Sequence, residues 1–125
     1  MTKTSKKILI VEDDTNFVSI LKQKFEEEGF ITVTAEDGKE GLGVSEKEKP
    51  DLIISDVLLP LLDGTDMVEK IKENNANLPI IFLTNVKDAN CSDAIKGLKN
   101  IDYLIKSDVH LDDIVKRAKK LLKMK

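Results

Sequence analysis

The sequence predicts an α/β protein: a doubly wound (βα)₅ sandwich around a parallel five-stranded sheet in the order 2-1-3-4-5. Three observations lead there. Five short apolar runs recur along 125 residues. Several of them are continuous rather than alternating, as strands covered on both faces require. Segments with helical spacing separate them, and a parallel sheet needs such crossovers.

The opening run, Ile8 to Val11, predicts the first strand. Phe17, Ile20, Leu21 and Phe25 then fall at i, i+3, i+4 and i+8, a helix stripe with Thr15 as candidate cap and Gly29 as its stop. Ile31 to Val33 predicts the second strand. Gly38 to Lys49 is the weakest helix, expected to be short or mobile, because Gly41 and Gly43 each cost about 1 kcal/mol relative to alanine. Leu52 to Ile54 predicts the third strand, and Asp63 or Thr65 starts a helix carrying Met67, Val68 and Ile71. Ile80 to Leu83 predicts the fourth strand, followed by a helix from Asp88 that carries Cys91, Ala94, Ile95 and Leu98. Tyr103 to Ile105 predicts the fifth strand. The last helix shows one apolar stripe of Leu111, Ile114, Val115, Ala118, Leu121 and Leu122, with Asp112 and Asp113 early and lysines late, as the macrodipole favours.

Length and composition bound the function. A chain of 125 residues fits one domain, 1–125. No stretch approaches the ~20 apolar residues of a bilayer-spanning helix, and no secretory signal opens the chain. The single cysteine, Cys91, reads as packing and forms neither an internal disulfide nor a zinc cluster, which suits the cytoplasm. A net charge of −3 argues against direct nucleic-acid binding. The lysines near Lys119 to Lys125 read as a solvated helix end, and His110 as an exposed loop residue or cap.

In this topology the first and third strands are neighbours, and a ligand site is expected at their carboxyl ends. A nucleotide site would place a glycine-rich turn after the first strand. The chain has Glu12-Asp13-Asp14 instead, which repels phosphate and suits a hard cation with oxygen ligands, Mg²⁺ or alternatively Mn²⁺. Leu52-Ile53-Ile54-Ser55 delivers Asp56 to the same end. With Glu12, Asp13 and Asp56 converging, repulsion raises a carboxyl pKa unless a divalent ion or a lysine offsets it. Thr84 closes the fourth strand with a hydroxyl and Lys106 the fifth with an ammonium. Acid, acid, hydroxyl and amine at four strand ends describe a phosphoryl site.

Ile8-Leu9-Ile10-Val11-Glu12-Asp13-Asp14, Asp51 through Gly64, Leu83-Thr84 and Asp102-Tyr103-Leu104-Ile105-Lys106 resemble the receiver domain of two-component response regulators, of the single-domain chemotaxis type. The likeness runs over almost the whole chain, and the family's flavodoxin-like fold agrees with the (βα)₅ reading. The resemblance implies that Asp56 is the phosphoacceptor, taking a phosphoryl group from a sensor histidine kinase or a histidine phosphotransfer protein. It implies a Mg²⁺ shell of Asp13, Asp56, the main-chain carbonyl of Leu58 and, through water, Glu12. Asp14 is left to an outer or helix-capping role. Lys106 and Thr84 would bond phosphoryl oxygens, with the main-chain N–H groups of Val57 and Asn85 helping to cradle the group. Thr84 and Tyr103 would be the switch, changing the surface of the fourth helix, fifth strand and fifth helix for an output partner.

On this reading the chain is no enzyme beyond its own phosphorylation and dephosphorylation. Pro60 and Gly64 would shape the loop after Asp56. Apolar Leu58 and Val86 would slow autodephosphorylation. Asn85 stands where the family has a small residue, and Ser107 where its lysine is followed by a cis proline. A cis bond to a non-proline residue costs about 3–4 kcal/mol, so this loop is expected to be trans and rearranged, or strained.

The alternatives are a phosphate-independent receiver-like interaction module, a haloacid-dehalogenase-type phosphatase, and a flavodoxin-like cofactor carrier. The phosphatase needs a second acid where Leu58 stands, and the carrier needs a phosphate loop where the acids stand. The chain stops after its last helix, so it reads either as a stand-alone receiver or as part of a longer regulator. A monomer is expected, with phosphorylation-linked dimerisation as the variant.

Overall fold

The computed structural model describes residues 6–85 and 97–124. The strands are β1 (Lys7–Val11), β2 (Ile31–Ala35), β3 (Leu52–Ser55), β4 (Ile80–Thr84) and β5 (Ile101–Ile105). The helices are α1 (Thr15–Glu27), α2 (Gly38–Glu48), α3 (Gly64–Asn74) and α4 (Leu111–Leu121). The sheet is parallel throughout in the order β2-β1-β3-β4-β5, as the sequence predicts. The helix expected from Asp88, with Cys91, and the position of Val86 lie outside the described residues.

The two faces of the sheet bury separate cores, because successive strand residues point to opposite sides. Leu9, Val11, Ile53, Ile80 and Phe82 pack against Met67, Val68 and Ile71 of α3, with Leu42 and Val44 of α2 alongside. Ile8, Ile10, Leu52, Ile54, Ile81 and Leu83 pack against Leu21 and Phe25 of α1 and Ile114, Val115 and Ala118 of α4. Both faces are covered, which is why β1, β3 and β4 read as unbroken apolar runs.

Two local expectations are corrected. The cap of α1 is Asp14, not Thr15: its carboxylate accepts from the N–H groups of Asn16 and Phe17 at 3.0 and 3.3 Å, and Thr15 is already helical. The weak segment is a full helix, α2, capped by Asp37 through the Glu40 N–H at 2.7 Å. Packing overrides the glycine penalty there. A Cβ on Gly41 would lie 2.6 Å from Met67 Sδ and 3.1 Å from the Val11 methyls, so glycine lets α2 seat on β1 and α3.

Candidate phosphoacceptor site

Glu12, Asp56 and Lys106 are each the first residue beyond a strand, and each is fixed by a main-chain bond to a neighbouring strand. Glu12 N–H donates to the Ala35 carbonyl at 3.0 Å, Asp56 N–H to Val11 at 3.1 Å, and Lys106 N–H to Thr84 at 2.7 Å. The parallel sheet therefore aligns three chemically active side chains at one rim before any side-chain contact is made.

Lys106 joins the two carboxylates. Its Nζ lies 2.6 Å from Glu12 Oε1 and 3.1 Å from Asp56 Oδ2. It also sits 4.7 Å from the centroid of the Phe17 ring, a cation–π contact from the first turn of α1. Glu12 is only 3% exposed, and its second oxygen accepts from the Asp14 N–H at 3.0 Å. The other oxygen of Asp56 accepts from the Leu58 N–H at 3.3 Å.

Burial pushes the Glu12 carboxyl above its ordinary range, against the hydrogen bonds from Lys106 and the Asp14 amide that pull it down. For Lys106, burial pulls downward, but the hydrogen bonds to Glu12 and Asp56 outweigh it and hold the ammonium above its usual value. Lys106 thus stays charged and offsets the repulsion between two carboxylates that the fold forces together.

Asp13 departs from the expected convergence. It is exposed, and among the described residues no three acidic, histidine or cysteine side chains converge closely enough to hold a metal by themselves. The donors at the rim are nonetheless all oxygen, with Glu12 and Asp56 sharing one ammonium and Asp13 beside them. That set fits a hard divalent cation that keeps part of its water shell.

Thr84 is buried at the end of β4 and Tyr103 is half-buried on β5. Tyr103 pairs in register with Phe82, and its ring stands 6.2 Å from that of Phe82. Phe82 and Thr84 are two residues apart, so Thr84 and Tyr103 share one face of the sheet. Val57 is buried behind Asp56, whereas Asn85 is exposed. The loop after Asp56 is braced from α2: Gly38 N–H donates to the Pro60 carbonyl at 3.3 Å, and a Cβ on Gly38 would lie 1.8 Å from the Leu62 oxygen. Leu58 and Leu61 project from this loop, 60% and 78% exposed.

Two contacts were not legible in the sequence. Phe17 fits the apolar stripe of its helix equally well, so its place beneath Lys106 carried no separate signal. The Asn85 side-chain oxygen accepts from the Ser107 N–H at 3.0 Å. Every described peptide bond is trans, including those of the loop after Lys106.

A parallel sheet in this order with two acids, a hydroxyl and a lysine at its carboxyl rim defines a receiver-type domain. The sequence profile described as the response regulator receiver domain matches residues 8–119, and the chain belongs to that family of two-component signalling proteins. It is 40% identical over 104 residues to the alkaline phosphatase synthesis transcriptional regulatory protein PhoP of Bacillus subtilis, covering 82% of this chain and 42% of that one. It is also 40% identical over 119 residues to the transcriptional regulatory protein PcoR of Escherichia coli, covering 94% and 51%. The chain thus spans about half the length of these relatives. Among solved structures, the CheY-like response regulator receiver domain protein of Methanospirillum hungatei superposes with a TM-score of 0.88 at 30% identity, over 96% of this chain and 95% of that one. The response regulator TrrA of Thermotoga maritima, in complex with Mg²⁺ and BeF, superposes with a TM-score of 0.79 at 31% identity, over 93% and 98%.

Proposed function

We propose that this chain is a phosphorylation-dependent switch in which Asp56 accepts a phosphoryl group from a histidine kinase or phosphotransfer protein. The observation that carries the reading is the Asp56 carboxylate held 3.1 Å from the Lys106 ammonium at the sheet rim. A carboxylate oxygen of Asp56 forms the new O–P bond as the N–P bond to the donor imidazole breaks, and the released imidazole takes up a proton. Lys106 already touches Asp56, so it meets a phosphoryl oxygen on that carboxylate without a large movement. Charge neutralisation and positioning, rather than covalent help, then supply most of the rate. Positive charge against the incoming oxygens is what a Mg²⁺ held by Glu12, Asp13, Asp56 and the Leu58 carbonyl supplies when bound.

The Thr84 hydroxyl follows the phosphoryl group, and Tyr103, on the same sheet face, turns into the space Thr84 leaves. The main-chain N–H groups of Val57 and Asn85 complete the cradle. The altered surface of β5 and α4 meets an output partner protein in the cytoplasm.

Intact-protein mass spectrometry after incubation with acetyl phosphate, with and without Mg²⁺, tests the reading on the parent and Asp56→Asn. A single Mg²⁺-dependent phosphoryl adduct, absent from Asp56→Asn, is the expected result. Folded parent protein that takes no adduct would instead support the phosphate-independent interaction module.

A further inference from the structure

We propose that the Asn85 carboxamide and the Ser107 N–H form a latch that positions the Lys106 ammonium, making Asn85 a positioning residue for phosphoryl transfer. The inference deepens the proposed phosphoacceptor role of Asp56 and rests on it.

Lys106 follows β5, which among the described strands pairs only with β4, and every residue of β5 is partly exposed. The Lys106 N–H makes the last main-chain rung, to the Thr84 carbonyl at 2.7 Å. Beyond it the chain turns instead of continuing the strand, and the turn carries the next amide, that of Ser107, to the end of β4, where the Asn85 side-chain oxygen accepts from it at 3.0 Å. A turn closes behind it, with the Asp108 N–H on the Ile105 carbonyl at 3.0 Å. Lys106 is thus fixed at its own amide and at the next one by two consecutive residues of the fourth strand's end.

This placement matters because Lys106 has a long, flexible side chain that must hold Glu12 at 2.6 Å and Asp56 at 3.1 Å together. Fixing its main chain removes part of the entropy cost of holding that geometry. The latch also ties the Lys106 loop to the residue after Thr84, so a displacement of Thr84 is transmitted to Lys106. It requires an N–H at position 107, which Ser107 provides and proline cannot.

The competing role for Asn85 is bulk that narrows access to Asp56, and the two make opposite predictions for Asn85→Ala. The latch predicts that labelling of Asp56 by acetyl phosphate slows by about three- to tenfold, the equivalent of one net hydrogen bond. Bulk predicts faster labelling. The direct readout is amide hydrogen exchange at Ser107, which the latch predicts to be faster in Asn85→Ala while β4 amides keep their protection. In a Ser107→Pro background, where the donor is gone, Asn85→Ala is expected to cause no further slowing.

Faster or unchanged labelling in Asn85→Ala, unchanged Ser107 exchange, or full slowing that persists in the Ser107→Pro background would each overturn the latch. Absence of any adduct on the parent chain would count against the phosphoacceptor reading instead, while the exchange measurement would still report whether the Asn85–Ser107 bond forms.

Discussion

Lys106 reaches past the end of β4 to place its ammonium 3.1 Å from Asp56, although the two residues follow strands that do not pair. The same ammonium bonds the buried Glu12 carboxylate at 2.6 Å, so one cation neutralises two acids that the sheet brings together. Lys106→Met leaves both carboxylates without that partner. The expected cost is about 1–3 kcal/mol of unfolding free energy by urea titration, below the loss for a fully buried pair because the rim is partly solvated. Acetyl phosphate labelling is expected to slow by about 10- to 100-fold.

Gly64 and Gly43 are expected to respond in opposite directions to alanine. A Cβ on Gly64 would lie 2.0 Å from the main-chain oxygen of Asp56, a contact that only backbone movement relieves. Gly64→Ala is therefore expected to destabilise by about 1–3 kcal/mol and to slow acetyl phosphate labelling by displacing Asp56. A Cβ on Gly43 meets nothing within 4 Å on the helix α2, so Gly43→Ala is expected to stabilise by about 0.5–1 kcal/mol. Thermal melts of the two variants beside the parent check both signs.

Lys72 is a buried cation, 4% exposed, and it bonds main-chain oxygens rather than an acid. Its ammonium donates to the carbonyls of Ala76, at 3.0 Å, and Lys99, which ties the end of α3 to the approach to β5. Lys72→Met keeps the volume but strands both carbonyls, and a loss of about 1–3 kcal/mol is expected in urea unfolding. Burial lowers the Lys72 pKa from its ordinary 10.5. Between the lowered folded value and 10.5 the unfolded chain binds more protons, so the parent is expected to gain stability relative to Lys72→Met as pH rises through that window.

The Lys24–Asp112 pair, 2.6 Å apart, clasps α1 to α4 and gives a pH dependence of its own. The hydrogen bond from Lys24 lowers the Asp112 pKa from its ordinary 3.8, and the same bond raises Lys24 from 10.5. The contribution of Asp112 is present above about 3.8 and is lost as pH falls through its folded value; that of Lys24 is present below 10.5 and is lost above its folded value. Asp112→Asn is expected to flatten the acid limb of a stability-against-pH profile, most visibly at low salt because the pair is solvent-facing.

What the sequence discloses here follows from which forces act locally. Continuous apolar runs mark β1, β3 and β4 because both sheet faces are covered, and the strand ends then place Glu12, Asp56, Thr84 and Lys106 at one rim. β5 begins two residues before its apolar run. Asp102 inside it pairs with Arg117 of α4 at 3.1 Å, a tertiary contact that excuses an acid in a strand. α2 looked weak because propensity counts Gly41 as a cost, whereas contact with Met67 and Val11 makes a side chain there the greater one. Asp14 and Thr15 are both good caps, and only the backbone geometry chooses between them. The exposure of Asp13 is a side-chain property that spacing does not encode, and it leaves Glu12 and Asp56 as the two acids that share Lys106. The choice of Glu12 as the shorter partner of Lys106, 94 residues away, emerges only when the sheet is assembled.

Borohydride trapping shows which side chain carries the phosphoryl group, which is expected to be Asp56. The protein is labelled with acetyl phosphate and Mg²⁺, reduced so that an aspartyl phosphate becomes homoserine, digested, and sequenced by tandem mass spectrometry. Homoserine at position 56, absent without acetyl phosphate and without Mg²⁺, is the predicted result. Homoserine at Asp13 or another acid with position 56 unchanged would contradict the account.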